Sequence, residues 1–235
     1  MKRILLTGIA LFVAATISNA TQPPSLPLDI SGITAVAIGG EASSLDITTA
    51  PDRPYLATLI RRRSGWFARW NSIWSYDDCS SSSRMWIEGT LLHIDVGSST
   101  WFGVSDCSYD INLNVKKDAA IAIHQQALSA RLTGQFSAVT IESKAADVAL
   151  SGHAETISVN SDALRLGIVL DSPGTAQAVT VKARMLEADL DFSAVPELAY
   201  AVTAKASFVD TSRLSTPGAP VRLTIAGELV HATIR

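Results

Sequence analysis

The sequence predicts an all-β chain built as a parallel β-solenoid with short coils. Three observations carry that expectation. Aliphatic pairs at i and i+2 return every nine residues from Ile121 to Ile168: Ile121/Ile123, Ala130/Leu132, Val139/Ile141, Val148/Leu150, Ile157/Val159 and Leu166/Ile168. Every second unit is more alike, so an 18-residue period lies over the nine-residue one; Gly134 matches Gly152, Ser143 matches Ser161, and Ala127, Ala145 and Ala163 line up. No insertion interrupts the register. An i, i+2 pair shares one face of a strand, and stacked coils bring residue i beneath residue i+18, where an insertion would disturb the ladder. Hairpin loops carry no such constraint, so an antiparallel β-sandwich, the usual meaning of short strands at this spacing, is the alternative.

Strand signals begin at Ile33, Val36 and Ile38, pass Gly39-Gly40, and continue in Leu45 and Ile47. Pro51 and Pro54 mark a turn, and Tyr55–Ile60 reads as the next strand. Residues 61–84 break the pattern with Arg61, Arg62 and Arg63, then Trp66, Phe67, Trp70, Trp74 and Tyr76, then a serine run; this is an aromatic-rich excursion. Alternation resumes at Met85–Ile87, at Leu92, Ile94 and Val96, and at Ile111, Leu113 and Val115. Asp171-Ser172-Pro173-Gly174 is a turn, after which the register slips and resumes with Val179/Val181, Leu186/Leu190, Val202, Val221/Leu223/Ile225 and Leu229–Ile234. One 18-residue coil buries about four aliphatics at roughly 1.5–3 kcal/mol each. Ordering its backbone costs roughly 1–2 kcal/mol per residue, so a lone coil fails and its neighbours must complete the core. The less regular strands before Val115 and after Ala219 are the expected end covers.

The chain of 235 residues is 47% hydrophobic and 17% charged, a globular composition. Met1-Lys2-Arg3, an apolar run from Ile4 to Ile17, and Ser18-Asn19-Ala20 make a signal peptide over residues 1–20. Residues 21–235 then form a single domain, exported to the periplasm or the exterior. The formal net charge of −3 loses Lys2 and Arg3 on cleavage and becomes −5, against a nucleic-acid partner. No apolar stretch in the mature chain is long enough to read as a transmembrane helix. Cys79 and Cys107 are the only cysteines, and export makes a disulfide the default. Closing its loop of about 29 residues contributes roughly 3–4 kcal/mol.

No catalytic or cofactor motif is present, so neither an enzyme nor a cofactor is expected. His93, His124, His153 and His231 show no metal-binding spacing and read as ordinary surface histidines, with His153 in a turn. Asp189 and Asp191 share a strand face about 6–7 Å apart and merit weighing as a glycoside-cleaving pair, although flanking Leu190 and Phe192 make an ordinary amphipathic strand. The best surface for interaction is Trp66, Phe67, Trp70 and Trp74 with Arg61, Arg62 and Arg63; exposed indoles beside guanidinium groups anchor partners or stack on sugars.

The stretch Gly89-Thr90-Leu91-Leu92-His93-Ile94, the strand Asp110-Ile111-Asn112-Leu113-Asn114-Val115, and the units Val139-Thr140-Ile141-Glu142-Ser143 and Ile157-Ser158-Val159-Asn160-Ser161 resemble the bacterial exported putative-adhesin domains of unknown function, β-solenoids described as autotransporter adhesin heads. The resemblance covers residues 33–225. It implies an all-β solenoid with no known enzyme activity, and the leading reading is a non-enzymatic binding or adhesion module of the envelope whose partner is a protein or carbohydrate. The other readings are a polysaccharide-active β-helix enzyme and a structural scaffold of an envelope complex.

Overall fold

The computed structural model describes residues 27–63, 83–97, 107–170 and 177–235. Among them are ten strands and no helix: β1 Leu28–Asp29, β2 Ala35–Thr48, β3 Leu56–Arg63, β4 Ser83–Glu88, β5 Leu91–Val96, β6 Cys107–Asn114, β7 Ala119–Leu170, β8 Gln177–Asp191, β9 Leu198–Thr211 and β10 Val221–Ile234. They join in one mixed sheet in the order β1-β3-β6-β2-β7-β8-β10-β9, with β5 also on β2 and β4 on β5. The pairings of β2 with β5, β6 and β7, of β7 with β8, and of β10 with β8 and β9 are parallel. Only the short pairings β1–β3, β3–β6 and β4–β5 are antiparallel. The antiparallel alternative is therefore excluded for the main body of the sheet.

Parallel register turns the sequence repeat into columns. Val36 lies beside Leu92 and Ile121, Ile157 beside Val179, and Val179 beside Leu223. Ile47, Leu132, Ile168, Leu190 and Ile234 occupy equivalent register positions and are 0% exposed. Within the 52-residue β7, residues 18 apart touch: His124 Nδ1 is 3.0 Å from Glu142 Oε2, and Ser143 Oγ donates to Ser161 Oγ at 3.0 Å. The nine-residue spacing has a local cause. Strict in–out alternation holds along Ile121–Gln125, then Gln126 and Ala127 both face outward before Leu128 turns in. Two outward residues in succession bend the strand and shift the parity by one, and the paired strands bend together because the register is the same on both sides of the bend.

At two positions the bend requires glycine. Gly40 has φ 117°, and a Cβ there would stand 1.8 Å from the Val96 carbonyl oxygen. Gly152 has φ 124°, and a Cβ would stand 2.0 Å from the oxygen of Gly134, its match one period earlier. Side chains disfavour this backbone region, and the stacked carbonyl leaves no room for one.

The register slip after residue 170 has a definite size. β7 pairs with β8 at an offset of 22 residues (Thr156 to Ala178) instead of 18, four more than the repeat. The two ends of the sheet correct one expectation. The strand after Ala219 is not a terminal cover: β10 inserts between β8 and β9, and β9 is outermost. The reason is visible in its inward residues. Leu223, Ile225, Val230 and Ile234 of β10 are buried, whereas their β9 neighbours are Tyr200, Val202, Ser207 and Thr211, smaller or more polar and partly exposed. The hydrophobic column tapers where the sheet ends, and the polar residues tolerate water. Ser215 covers part of the β9 edge, accepting from Tyr200 N at 2.9 Å and donating to Tyr200 O at 3.2 Å. At the other end the strands before Val115 do lie outside β2, held by Asn114, whose amide donates to the carbonyls of Ala50, Arg53 and Pro54 at 3.0–3.1 Å.

Gly152→Ala is expected to destabilise the fold by about 1–3 kcal/mol, lowering the thermal midpoint by roughly 2–4 °C per kcal/mol. Gly39→Ala, where a Cβ meets nothing within 4 Å, is expected to leave the midpoint unchanged or raise it. Thermal denaturation of the two variants followed by circular dichroism compares them directly.

Candidate functional site

Trp66, Phe67, Trp70, Trp74 and Cys79 lie outside the described residues. Arg61, Arg62 and Arg63 close β3, facing Tyr109, Ser108 and Cys107 of β6 in antiparallel register. Arg61 is half-buried; its Nε donates to Ser83 Oγ at 2.8 Å, and its Nη2 lies 3.4 Å from the Ser83 carbonyl. That bond ties the last residues of β3 to the first residue of β4. Arg61 thus joins the two strands that flank the excursion, a structural use the sequence did not disclose.

The aspartate pair is occupied. Asp189 accepts from the Arg235 guanidinium, and Asp191 Oδ1 accepts from Ser193 N at 2.9 Å. The hydroxyl and amide of Ser193 hold the Asp191 carboxyl below the usual carboxylate range. A general acid needs the opposite shift. Asp191 thus holds the chain just after β8, and Asp189 pairs with Arg235.

The histidines separate by environment. His153, expected in a turn, lies within β7 and is half-buried. His124 is exposed and pairs with Glu142. His231 meets Phe208 edge-on at 5.3 Å. His93 stacks on Trp86, its cross-strand neighbour, with centroids 4.8 Å apart and planes at 7°.

Among the described residues a concave surface of about 1,080 Å³ crosses the strands. Its floor is the second outward residue of each bend. Ala42 lies beside Ala127, Ala163 beside Met185, Met185 beside Leu229, and Leu229 beside Ala206; Ala145 lies between Ala127 and Ala163 in the 18-residue repeat. Met185 and Leu229 are 46% and 56% exposed, and Phe208 at the far end is 65% exposed. One wall carries Asp147, Arg165, Glu187 and His231. From Ala145 onward the residue before each floor position is also exposed and alternates in sign in strand order, as Lys144, Asp162, Arg184, Glu228 and Lys205, whereas Glu41 and the uncharged Gln126 precede Ala42 and Ala127. Strands lie about 4.8 Å apart, so the groove runs for roughly 30 Å from β6 to β9. The aligned Ala127, Ala145 and Ala163 were legible as a repeat. That they floor a groove was not, because alternation alone does not say which outward columns face a concavity.

Charge alternation organises this surface. Lys205 Nζ donates to Glu228 Oε1 at 2.7 Å. That bond, with the Lys205 charge and then Arg184, depresses the Glu228 carboxyl. The carboxylate form is favoured in the folded state, so this small stabilisation is present above the ordinary glutamate value and is lost as pH falls through the depressed folded value.

No family model and no curated protein matches the sequence. Among solved structures, the chain is similar to a "putative cell adhesion protein" from Clostridium sporogenes ATCC 15579, at 8% identity over 90% of this chain and 98% of that one, with a TM-score of 0.46. It is also similar to a "putative adhesin" from Bacteroides fragilis NCTC 9343, at 11% identity over 88% of this chain and 94% of that one, with a TM-score of 0.49.

In a carboxyl-detected NMR titration, Glu228 is expected to titrate below an ordinary glutamate in the parent chain. Lys205→Met is expected to move it back upward; an unchanged value would remove Lys205 as the cause.

Proposed function

We propose that the chain is a non-enzymatic binding module of adhesion type in the bacterial envelope, exported by the leader at residues 1–20 and built as a parallel β-solenoid. The groove across the strands carries this reading. Its apolar floor, flanked by columns of alternating charge, suits a polypeptide segment that presents apolar and charged side chains together. A polyanion would meet as many carboxylates as bases there. The likeness of the repeat units to exported adhesin domains supports the same reading. A rigid ladder is a suitable carrier, because groove side chains mounted on paired strands need little ordering on binding.

The solenoid form is supported by the contacts at 18-residue separation within β7 and by the parallel registers on either side of it. Each pass of the chain then stacks on the one before. In the double variant Ser143→Cys/Ser161→Cys, mild oxidation is expected to form a 143–161 disulfide, detected by peptide mapping without reduction. Its absence would contradict coil stacking at this position.

The aromatic excursion, with Trp66, Phe67, Trp70 and Trp74, Arg61–Arg63 and a Cys79–Cys107 disulfide, remains a second proposed element of the binding surface. Co-sedimentation with isolated cell envelope tests both. Met185→Ser/Leu229→Ser/Phe208→Ser is expected to weaken binding at least about tenfold, corresponding to about 1.4 kcal/mol, with an unchanged circular dichroism spectrum. If that variant binds normally while Trp66→Ala/Trp70→Ala/Trp74→Ala does not, the excursion is the surface and the groove reading is wrong.

A further inference from the structure

A smaller depression lies on the other outward face, near the β4–β5 hairpin, and its register builds it from two neighbouring columns. In one, Trp86 faces His93, His93 lies beside Ala37, and Ala37 beside Ala122. In the other, Arg84 faces Asp95, Asp95 lies beside Gly39, and Gly39 beside His124. Ala37, Gly39 and Ala122 are small, whereas His93 and Asp95 on one side and His124 and Glu142 on the other are larger. A trough therefore opens over Ala37, Gly39 and Ala122, with a volume of about 440 Å³. A Cβ built on Gly39 meets nothing within 4 Å, so the space above the floor is open.

The walls have complementary chemistry. On one side stands the Trp86–His93 stack, its indole 41% exposed. The Arg84 guanidinium lies 6.0 Å from the indole centroid and 3.8 Å from Asp95. On the other side stands the His124–Glu142 pair, 3.0 Å apart. A ligand filling this trough meets the aromatic stack, an alanine–glycine floor, and hydrogen-bonding groups on the His124–Glu142 wall. The ring C–H groups of a pyranose pack against aromatic faces, and its hydroxyls both donate and accept. Two carboxylates, Asp95 and Glu142, with Glu88 beside His93 at 3.5 Å, outnumber the single guanidinium and disfavour an anionic ligand. The volume falls within the range of small-molecule sites, about 300–1,000 Å³.

We infer that this trough is a binding site for an uncharged pyranose unit of a glycan, with the Trp86–His93 stack as the aromatic wall, Gly39 as the floor that admits the ring, and His124 and Glu142 as the hydroxyl partners. The site lies apart from the groove between the charge columns and does not depend on it.

The full mature chain titrated with maltotriose and with chitotriose, followed by the Trp indole N–H resonances, tests the inference. At least one of the two is expected to bind with a dissociation constant of about 1 mM and to shift the Trp86 resonance. Trp86→Ala is expected to weaken binding at least about tenfold, and Trp86→Phe to retain most of it. Gly39→Val fills the trough with a residue that suits a strand; it is expected to abolish binding while keeping the thermal midpoint. Should Trp86→Ala fail to fold, Gly39→Val still decides. No shift with either sugar, binding that survives Gly39→Val, or tighter binding of trigalacturonate than of the neutral sugars would each overturn the assignment. Met185→Ser/Leu229→Ser/Phe208→Ser is expected to bind the sugars normally, so failure here and failure of the groove are read separately.

Discussion

Parallel, in-register pairing of strands is the constraint on which the rest of this protein depends. Once β2, β7, β8 and β10 run the same way at fixed offsets, each inward aliphatic lies beside its equivalent on the next strand, and a column of side chains becomes a continuous core. The same registration acts outward. It brings Ser143 onto Ser161, His124 onto Glu142, and Lys205 onto Glu228, so surface pairs arise between residues far apart in sequence. An insertion in one strand would shift every outward and inward neighbour at once, which accounts for the unbroken repeat.

Ends are the weak points of such a construction, because a parallel strand without a neighbour leaves unpaired backbone groups and an uncovered core. The two ends solve this differently. At one, β2 is flanked in its first half by β5 and in its second by β6, each backed by an antiparallel partner. At the other, the chain places β9 outermost and returns β10 inside it, so that the more apolar strand occupies the buried position. Arg213 then fastens the turn before β9 by donating to the carbonyls of Phe192, Val195 and Pro196.

The outward columns divide the surface into two kinds of recess. Where the bend of each strand sets two residues outward, an alanine column bordered by alternating charge makes a long groove. Where small residues interrupt a column between aromatic and charged neighbours, a compact trough results. The trough arises from side-chain size varying along a column and the groove from a small column between larger ones, so no single strand shows either recess. The distinction fits their proposed ligands, an extended polypeptide along the strand stack and a single sugar ring between two walls.

By itself the sequence determined the all-β class, most of the inward residues and the nine- and 18-residue periods, because alternation and spacing report a side chain's face directly. It also showed Ala127, Ala145 and Ala163 to be equivalent, and it marked the turn after Leu170 as a break in register. Only the tertiary structure decided strand order, since β9 and β10 have similar alternation and their exchange depends on which column completes the core. Only it showed that Arg61 binds Ser83, that Asp189 and Asp191 are committed to Arg235 and Ser193, and that Trp86 stacks on His93. The physical reason is common to all of these. Local pattern fixes the direction in which a residue points, whereas its neighbour is chosen by chain segments tens of residues away whose register no local signal encodes.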